Sequence, residues 1–255
     1  MSVVAIIPAR MDSTRFPGKA LADDTGKAMV VHVCERAVLA ESVSRVVVAT
    51  DSLAILDVVT RAGFEGVMTS VEHPNGTSRL GEAAKVLGLD ESDVVINVQG
   101  DEPEIEPSVI DGAYGAYCGA AGGDARSVGT VVTPIVDNAD FLDPNIVKAV
   151  MSGRSVGVGG VEMGRALYFS RSGVPYPRVE TQTPAYRHVG IYAYQVGAIK
   201  QYLSWEATDL EMAESLEQLR WLAHDYPIRA AYCCSMHSGI DTPEQYRAFV
   251  GRFKA

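Results

Sequence analysis

VVAIIPARMDSTRFPGKALADDTGKAMVVHVCERAVLAESVSRVVVAT, residues 3–50, runs through a strand, a polar turn-rich loop, a helix and a second strand. VVAIIP (3–8) and RVVVAT (45–50) are short β-branched apolar runs bounded by polar or turn residues, the pattern of strands buried on both faces. Between them, MVVHVCERAVLA (29–40) spaces its apolar residues for one face of a helix. The pattern then recurs: SLAILDVVTRAG (52–63) and SRLGEAAKVLG (78–88) read as helices ahead of a third strand, DVVINVQ (93–99). Strand–helix–strand repetition predicts parallel pairing through right-handed crossovers. The chain through residue 99 therefore reads as an α/β half of the open-sheet type.

The second half is less regular. SVGTVVTPI (127–135), NIVKAVM (145–151), HVGIYAY (188–194) and IRAAYCC (228–234) read as strands. ATDLEMAESLEQLRWLAH (207–224) reads as one helix, with Thr208 and Glu211 as a capping box and Leu210, Ala213, Leu216 and Leu219 as its apolar stripe. Residues 172–187, rich in proline and charge, read as a loop, and GVGG (157–160) as a turn. The expectation is one domain over 1–255, with a lobe built from the middle of the chain at about 130–205.

Composition narrows the function. A chain of 255 residues with 47% apolar and 21% charged side chains holds a sizeable core and is not disordered. Its apolar runs fall far short of the ~20 residues of a membrane span. VVAIIP is too short for the apolar stretch of a signal peptide, so a cytoplasmic location without membrane association is expected. A net charge of -10 argues against nucleic acid as a partner, but not against a small anion held by a local field. The four cysteines, Cys34, Cys118, Cys233 and Cys234, have no metal-ligand spacing and read as reduced thiols.

Ligands of open α/β sheets bind outside the carboxyl ends of strands. Three polar clusters fall near such ends, at 8–19, 100–103 and 239–243, and a further one lies at 73–79. PARMDSTRFPGK (8–19) gathers Arg10, Arg15 and Lys19, whose guanidinium forks and ammonium suit phosphate oxygens. It is not a Walker A loop, because Ala20 follows Gly18-Lys19, and Glu162 spoils GVGG as a dinucleotide fingerprint. GDEP (100–103) and GIDTP (239–243) supply Asp101, Glu102 and Asp241, and two carboxylates from separate strand ends suit a hard cation such as Mg²⁺. In HPNGTSR (73–79), Gly76, Thr77 and Ser78 suit a helix cap or a phosphate or base contact, and Arg79 adds a fourth cation. Each cluster also has a plain structural reading as a solvated loop, a turn, or a helix N-cap with a surface arginine. Cations and carboxylates at one sheet edge point to phosphoryl or nucleotidyl transfer.

Eight motifs in order extend this reading over the whole chain: PARMDSTRFPGK, HPNGTSR, NVQGDEP, DPNIVKAV, ALYFSRSGVPY, RHVGIYAY, ESLEQLR and GIDTPEQ. Together they resemble the cytidylyltransferases that activate 3-deoxy-D-manno-octulosonate (KDO), the CMP-KDO synthetases. The resemblance implies an α/β nucleotide-diphospho-sugar-transferase-like sandwich, with a mixed, mostly parallel sheet flanked by helices and a small dimerisation lobe. It implies conversion of CTP and KDO to CMP-KDO and pyrophosphate with Mg²⁺, in a cytoplasmic homodimer serving lipopolysaccharide synthesis.

Carried over motif by motif, Arg10, Arg15 and Lys19 would meet the CTP phosphates, with Lys19 stabilising charge near the α-phosphate. Arg10 and Asp101 join Lys19 as the expected catalytic residues. The backbone at Ala9 and Arg10 would help read cytosine, with Thr77, Ser78 and Arg79 nearby. Asp101 and Asp241 would hold the metal, and Gln99, Arg171, His188, Tyr192, Glu217 and Gln218 would surround the sugar acid. Taken singly, His188 and Tyr192 read as core residues, and Glu217 and Gln218 as a solvated face in mid-helix.

One departure stands out. The family motif usually reads HPSGTDR, whereas Asn75 and Ser78 stand here at its Ser and Asp positions. That leaves room for a modified acid sugar such as 8-amino-KDO. Other readings are a sialic acid cytidylyltransferase, or a non-catalytic homologue that binds CTP or a CMP-sugar. Intact Lys19, Asp101 and Asp241 argue against the last.

Overall fold

The computed structural model describes residues 1–73, 75–119, 122–179, 185–235 and 239–254. The chain divides into two compact units, Met1–Asp111 with Met236–Ala255, and Gly112–Ser235. In chain order the first unit runs β1 (Val3–Ala9), α1 (Met29–Ala37), β2 (Arg45–Thr50), α2 (Leu53–Arg61), β3 (Glu65–Met68), α3 (Gly76–Val86) and β4 (Val94–Asn97). The unit boundary falls within α4 (Pro107–Cys118). The second unit continues with β5 (Val128–Pro134), α5 (Asn138–Leu142), β6 (Lys148–Val156), β7 (Glu162–Ser170), β8 (Tyr186–Gln195), α6 (Val196–Leu203), α7 (Asp209–Glu214), α8 (Gln218–Ala223) and β9 (Ile228–Tyr232). Helix α9 (Pro243–Lys254) returns to the first unit.

Strands of the first unit pair in the order β3-β2-β1-β4, all parallel. Val4, Ala5, Ile6 and Ile7 on β1 are fully buried, as a central strand between two neighbours requires. From β1 the chain steps outward to β2 and β3, then returns to the other side of β1 as β4. The loops leaving β1 and β4 therefore diverge at a topological switch point, where open α/β sheets bind ligands. The three strands and three helices expected in this half are all present. The short strand β3 was not foreseen, because EGVM has no alternation and is only half-buried.

The second unit is mixed. Its order is β8-β5-β9-β7-β6, with β5 and β9 parallel and the β5–β8, β7–β9, β6–β7 and β6–β8 pairs antiparallel. β7 was also unforeseen as a strand. β6 begins later than expected and runs on through exposed residues 152–156, which carry no burial signal and shift register against β7. GVGG forms a turn containing a one-turn 3-10 helix, with Gly159 at φ 73°. Residues 180–184 of the expected loop lie outside the described residues.

The expected helix 207–224 is two helices. The capping box at Thr208 and Glu211 is present, but Ser215 takes φ 51° and α7 stops at Glu214. The cause is Arg171, whose Nε donates to the Glu214 carbonyl at 2.7 Å and whose second terminal nitrogen (Nη2) donates to the Ser215 carbonyl at 3.3 Å. Those carbonyls are thereby withdrawn from the helical ladder. Ser170 Oγ and the Arg171 backbone N–H also donate to the Glu214 carboxylate, at 2.7 and 2.8 Å. Across the break, Arg220 donates twice to the Glu211 carboxylate, at 2.6 and 2.6 Å, and lies over the Tyr202 ring.

This pair is 11% and 9% exposed, so removing one partner strands a buried charge. Glu211→Ala should lower the unfolding free energy by about 3 kcal/mol, read as a shifted urea midpoint. A loss under about 0.5 kcal/mol, the size of an ordinary surface change, would contradict the clamp.

Candidate active site

The opening loop is shaped by its turn residues. Gly18 sits at φ 70°, a left-handed conformation that glycine adopts without strain, and its N–H donates to the Met11 carbonyl at 3.1 Å. Lys19 then opens a one-turn 3-10 helix, Lys19–Leu21. Beyond β4, Gly100 passes so close to β1 that a Cβ there would meet the Pro8 carbonyl at 2.5 Å. Glycine is thus required to deliver Asp101 beside the end of β1.

Apolar packing brings the third segment in. Phe16 of the opening loop, Met29 of α1, Ile240, and Tyr246 and Phe249 of α9 form one cluster. The Ile240 N–H donates to the Asp101 carbonyl at 2.8 Å. Gln245 Oε1 accepts from the backbone N–H groups of Asp241 and Thr242 at 2.7 and 3.0 Å, while Thr242 Oγ1 accepts from the Gln245 N–H at 3.3 Å. That capping box orients Asp241. Sequence reasoning missed Gln245, although the Thr242–Gln245 spacing in GIDTPEQ was its signal.

At the junction, Lys19 Nζ donates to Asp101 Oδ2 at 2.7 Å, to the Ile240 carbonyl at 2.9 Å and to Asp241 Oδ1 at 3.0 Å. Arg15 pairs with Asp241 Oδ2 at 3.0 Å. Burial works to lower the Lys19 pKa, but the charge of Asp101 and hydrogen bonds to Asp101 and Asp241 outweigh it and raise it. Arg10 is exposed on the same loop and makes no ion pair among the described residues. Ala9, by contrast, is buried at the end of β1. Lys19, Arg15, Asp101 and Asp241, picked from separate stretches of sequence, thus meet within one unit, while Arg10 pairs with none of them.

The donor set suits a hard cation: two carboxylates and a carbonyl, with an ammonium already standing among them. Among the described residues no group of three or more His, Cys, Asp or Glu stands close enough to hold a metal. Asp101 and Asp241 would therefore hold an ion whose remaining ligands are waters and substrate phosphates, the usual manner of Mg²⁺.

At α3, Asn75 is the N-cap, accepting from the Ser78 N–H at 2.9 Å, and Ser78 Oγ donates to the Asn75 carbonyl at 3.0 Å. His73 bridges Ser78 Oγ and Glu82. Thr77 is buried, and Pro74 lies outside the described residues. Arg79 differs from the surface arginine considered above. It is 4% exposed and spans Asp51 Oδ2 at 2.6 Å and Thr69 Oγ1 at 2.6 Å, so its charge locks α3 to the segments after β2 and β3.

In the second unit, β8 carries His188 and Tyr192, whose rings lie 5.3 Å apart. Thr130 Oγ1 donates to the Ile191 carbonyl at 2.6 Å, so it accepts from His188 Nε2–H at 2.9 Å. That assigns the tautomer and leaves Nδ1 as an acceptor. His188 keeps an accessible edge, yet Phe169 and Tyr192 enclose the ring, and burial alone pushes its pKa down to about 3. Burial, then the negative charge of Glu217, raises Tyr192 well above the usual tyrosine range.

Glu217 and Gln218 are not mid-helix: Glu217 is the N-cap of α8 and Gln218 is buried. Arg171 spends three of its five N–H donors on the carbonyls of Pro144, Glu214 and Ser215. Gln99 belongs to the first unit, just past β4. Of the other histidines, His32 is buried against Phe249 and Phe253, and His237 lies outside the described residues.

A parallel sheet whose switch point carries basic loops facing paired carboxylates is the arrangement of a nucleotide-handling α/β enzyme. Residues 4–228 match the family model for cytidylyltransferases. A 3-deoxy-manno-octulosonate cytidylyltransferase of Trichlorobacter lovleyi is 42% identical over 100% of this chain and 99% of its own. One of Cellvibrio japonicus is 42% identical over 95% and 94%. A solved CMP:2-keto-3-deoxy-manno-octonic acid synthetase complexed with CTP superposes with a TM-score of 0.86 at 35% identity, covering 100% of this chain and 99% of that one. A 4-diphosphocytidyl-2C-methyl-D-erythritol synthase, 13% identical with a TM-score of 0.63, shares the fold.

The chain belongs to the 3-deoxy-manno-octulosonate cytidylyltransferase family and is a nucleotidyltransferase. Among the described residues no helix is long and apolar enough to cross a membrane.

The depressed pKa of His188 has a signed consequence. The unfolded chain takes up a proton near pH 6.5 that the folded chain refuses down to about pH 3. Stability is intact above about pH 6.5 and falls as pH drops through that window, by about 1 kcal/mol per pH unit. His188→Asn should flatten that slope, and proton NMR should find His188 neutral at pH 5. A His188 midpoint above pH 6 would contradict it.

Proposed function

We propose that the chain converts CTP and KDO to CMP-KDO and pyrophosphate, activating the sugar acid for lipopolysaccharide synthesis. The observation that carries the reading is the meeting of Lys19, Arg15, Asp101 and Asp241 at the switch point, in a chain 42% identical to named KDO cytidylyltransferases along its length. Those relatives favour KDO over sialic acid, and the intact cluster favours an enzyme over a binding homologue.

In this reading Arg10, Arg15 and Lys19 bind the triphosphate, and Lys19 neutralises charge that grows on the α-phosphate. The Ala9–Arg10 backbone and the Thr77–Ser78 start of α3 face the nucleoside, while Arg79 holds that helix in place through Asp51. Asp101 and Asp241 hold Mg²⁺, which when bound lowers the pKa of the attacking anomeric hydroxyl and offsets phosphate charge. Gln99, Arg171, His188, Tyr192, Glu217 and Gln218 take the sugar-acid roles. Arg171 keeps two N–H donors for a carboxylate, and neutral His188 offers Nδ1 to a sugar hydroxyl. Catalysis is then mainly positioning and electrostatics, with no dedicated strong base. A cytoplasmic homodimer is part of the same proposal.

The test is pyrophosphate release with Mg²⁺ and each ribonucleoside triphosphate, with KDO, 8-amino-KDO, sialic acid or no sugar. Release with CTP and KDO together is expected, and none with either alone. Release only with another acid sugar would move the substrate, and tight CTP binding without release would favour a binding protein. Asp101→Asn and Asp241→Asn should each cut turnover by about two orders of magnitude with the fold intact. Near-parent rates at saturating Mg²⁺ would remove both residues from the metal site.

A further inference from the structure

Lys19 is fully engaged. An ammonium has three donor hydrogens, and Nζ reaches three oxygens at 2.7, 2.9 and 3.0 Å: Asp101 Oδ2, the Ile240 carbonyl and Asp241 Oδ1. Its side chain is 15% exposed, and none of its hydrogens is left for a phosphate. Two carboxylates and a carbonyl from separate segments are also the oxygen ligands that a divalent ion takes. An ammonium and a divalent cation seated on the same three oxygens repel each other and compete for the same carboxylate charge.

We propose that these three oxygens form a single cation seat which Lys19 and the divalent metal occupy in turn, so that metal loading expels the ammonium towards the nucleotide phosphates. This rests on the metal assignment above. It adds to it the exchange and the Ile240 carbonyl as a cation ligand. Arg15 moves with Lys19 in this scheme, since it holds the second oxygen of Asp241. Metal and nucleotide then favour each other: the phosphates, on binding, draw Lys19 out of the seat the metal needs, and the metal, on binding, releases Lys19 to the phosphates.

The seat does not need Lys19 to keep its shape. The Ile240 N–H bond to the Asp101 carbonyl, at 2.8 Å, and the Gln245 side chain, which holds Asp241 N–H at 2.7 Å, position the oxygens independently. The Phe16–Ile240–Tyr246 packing holds the same segment from the apolar side.

The experiment is Mn²⁺ binding to the full chain without nucleotide, read from the electron paramagnetic resonance signal of free Mn²⁺. The parent is compared with Lys19→Met, Arg10→Met, Asp101→Asn and Asp241→Asn, each checked for fold by circular dichroism. Lys19→Met should bind Mn²⁺ about fivefold tighter or more, the lower end of the usual range for linked sites. Arg10→Met removes the same charge from the same loop without vacating the seat, and it should stay near the parent. The aspartate variants should bind more weakly.

If Lys19→Met binds no tighter than the parent, or no tighter than Arg10→Met, while the aspartate variants lose Mn²⁺, the exchange is overturned and the metal assignment stands. If the aspartate variants bind like the parent, the metal assignment itself fails and takes the exchange with it.

Discussion

The ammonium of Lys19 joins three stretches of chain that are remote in sequence. Asp101 lies 82 residues away, and Ile240 and Asp241 lie 221 and 222 residues away. Burying that charge is costly, and two carboxylates with a carbonyl offset the cost only because each is held from behind. Gly100 lets the Asp101 segment graze β1, the Gln245 side chain fixes Asp241, and the Phe16–Ile240–Tyr246 cluster presses the C-terminal segment against the opening loop. The electrostatic centre of the first unit is thus supported by ordinary packing and capping.

The same economy governs the second unit. Arg171 ends α7 by taking its last carbonyls, and Glu214 answers with its carboxylate to Ser170 and Arg171. Glu211 serves both the capping box and Arg220, so α7 and α8 are clamped across their break. That break moves Glu217 and Gln218 from the middle of a helix to the start of one, and brings the Glu217 charge to bear on Tyr192. The aromatic wall around His188 then sets its protonation: stripped of most of its water, the imidazole stays neutral and its tautomer follows from Thr130.

Much of this was legible in advance where the signal is local. β2 falls on the apolar run 45–50, because a strand buried on both faces must be continuously apolar, α1 and α2 fall within their periodic stretches, and α3 starts two residues ahead of its own. β3 and the far half of β6 were illegible, since half-buried or exposed strands owe their existence to a partner's backbone and not to their own side chains. The single helix at 207–224 failed for a related reason: its apolar spacing is real, but the group that ends α7 lies 43 residues upstream. Arg79 read either as a nucleotide contact or as a surface cation, because nothing near it in sequence showed its pairing with Asp51.

The sequence by itself determined the α/β order of the first half, the capping box at Thr208 and Glu211, the family, and the gathering of arginines, lysine and aspartates into a few short motifs. Each is a matter of neighbouring residues, of periodicity, or of residue types standing in a recognisable order. Only the tertiary structure decided which charge meets which. It seated Lys19 between Asp101 and Asp241, turned Arg79 inward to Asp51, and made Arg171 a terminator of α7. Ion pairing and hydrogen bonding depend on distance and on the water excluded around them, and separation along the chain specifies neither.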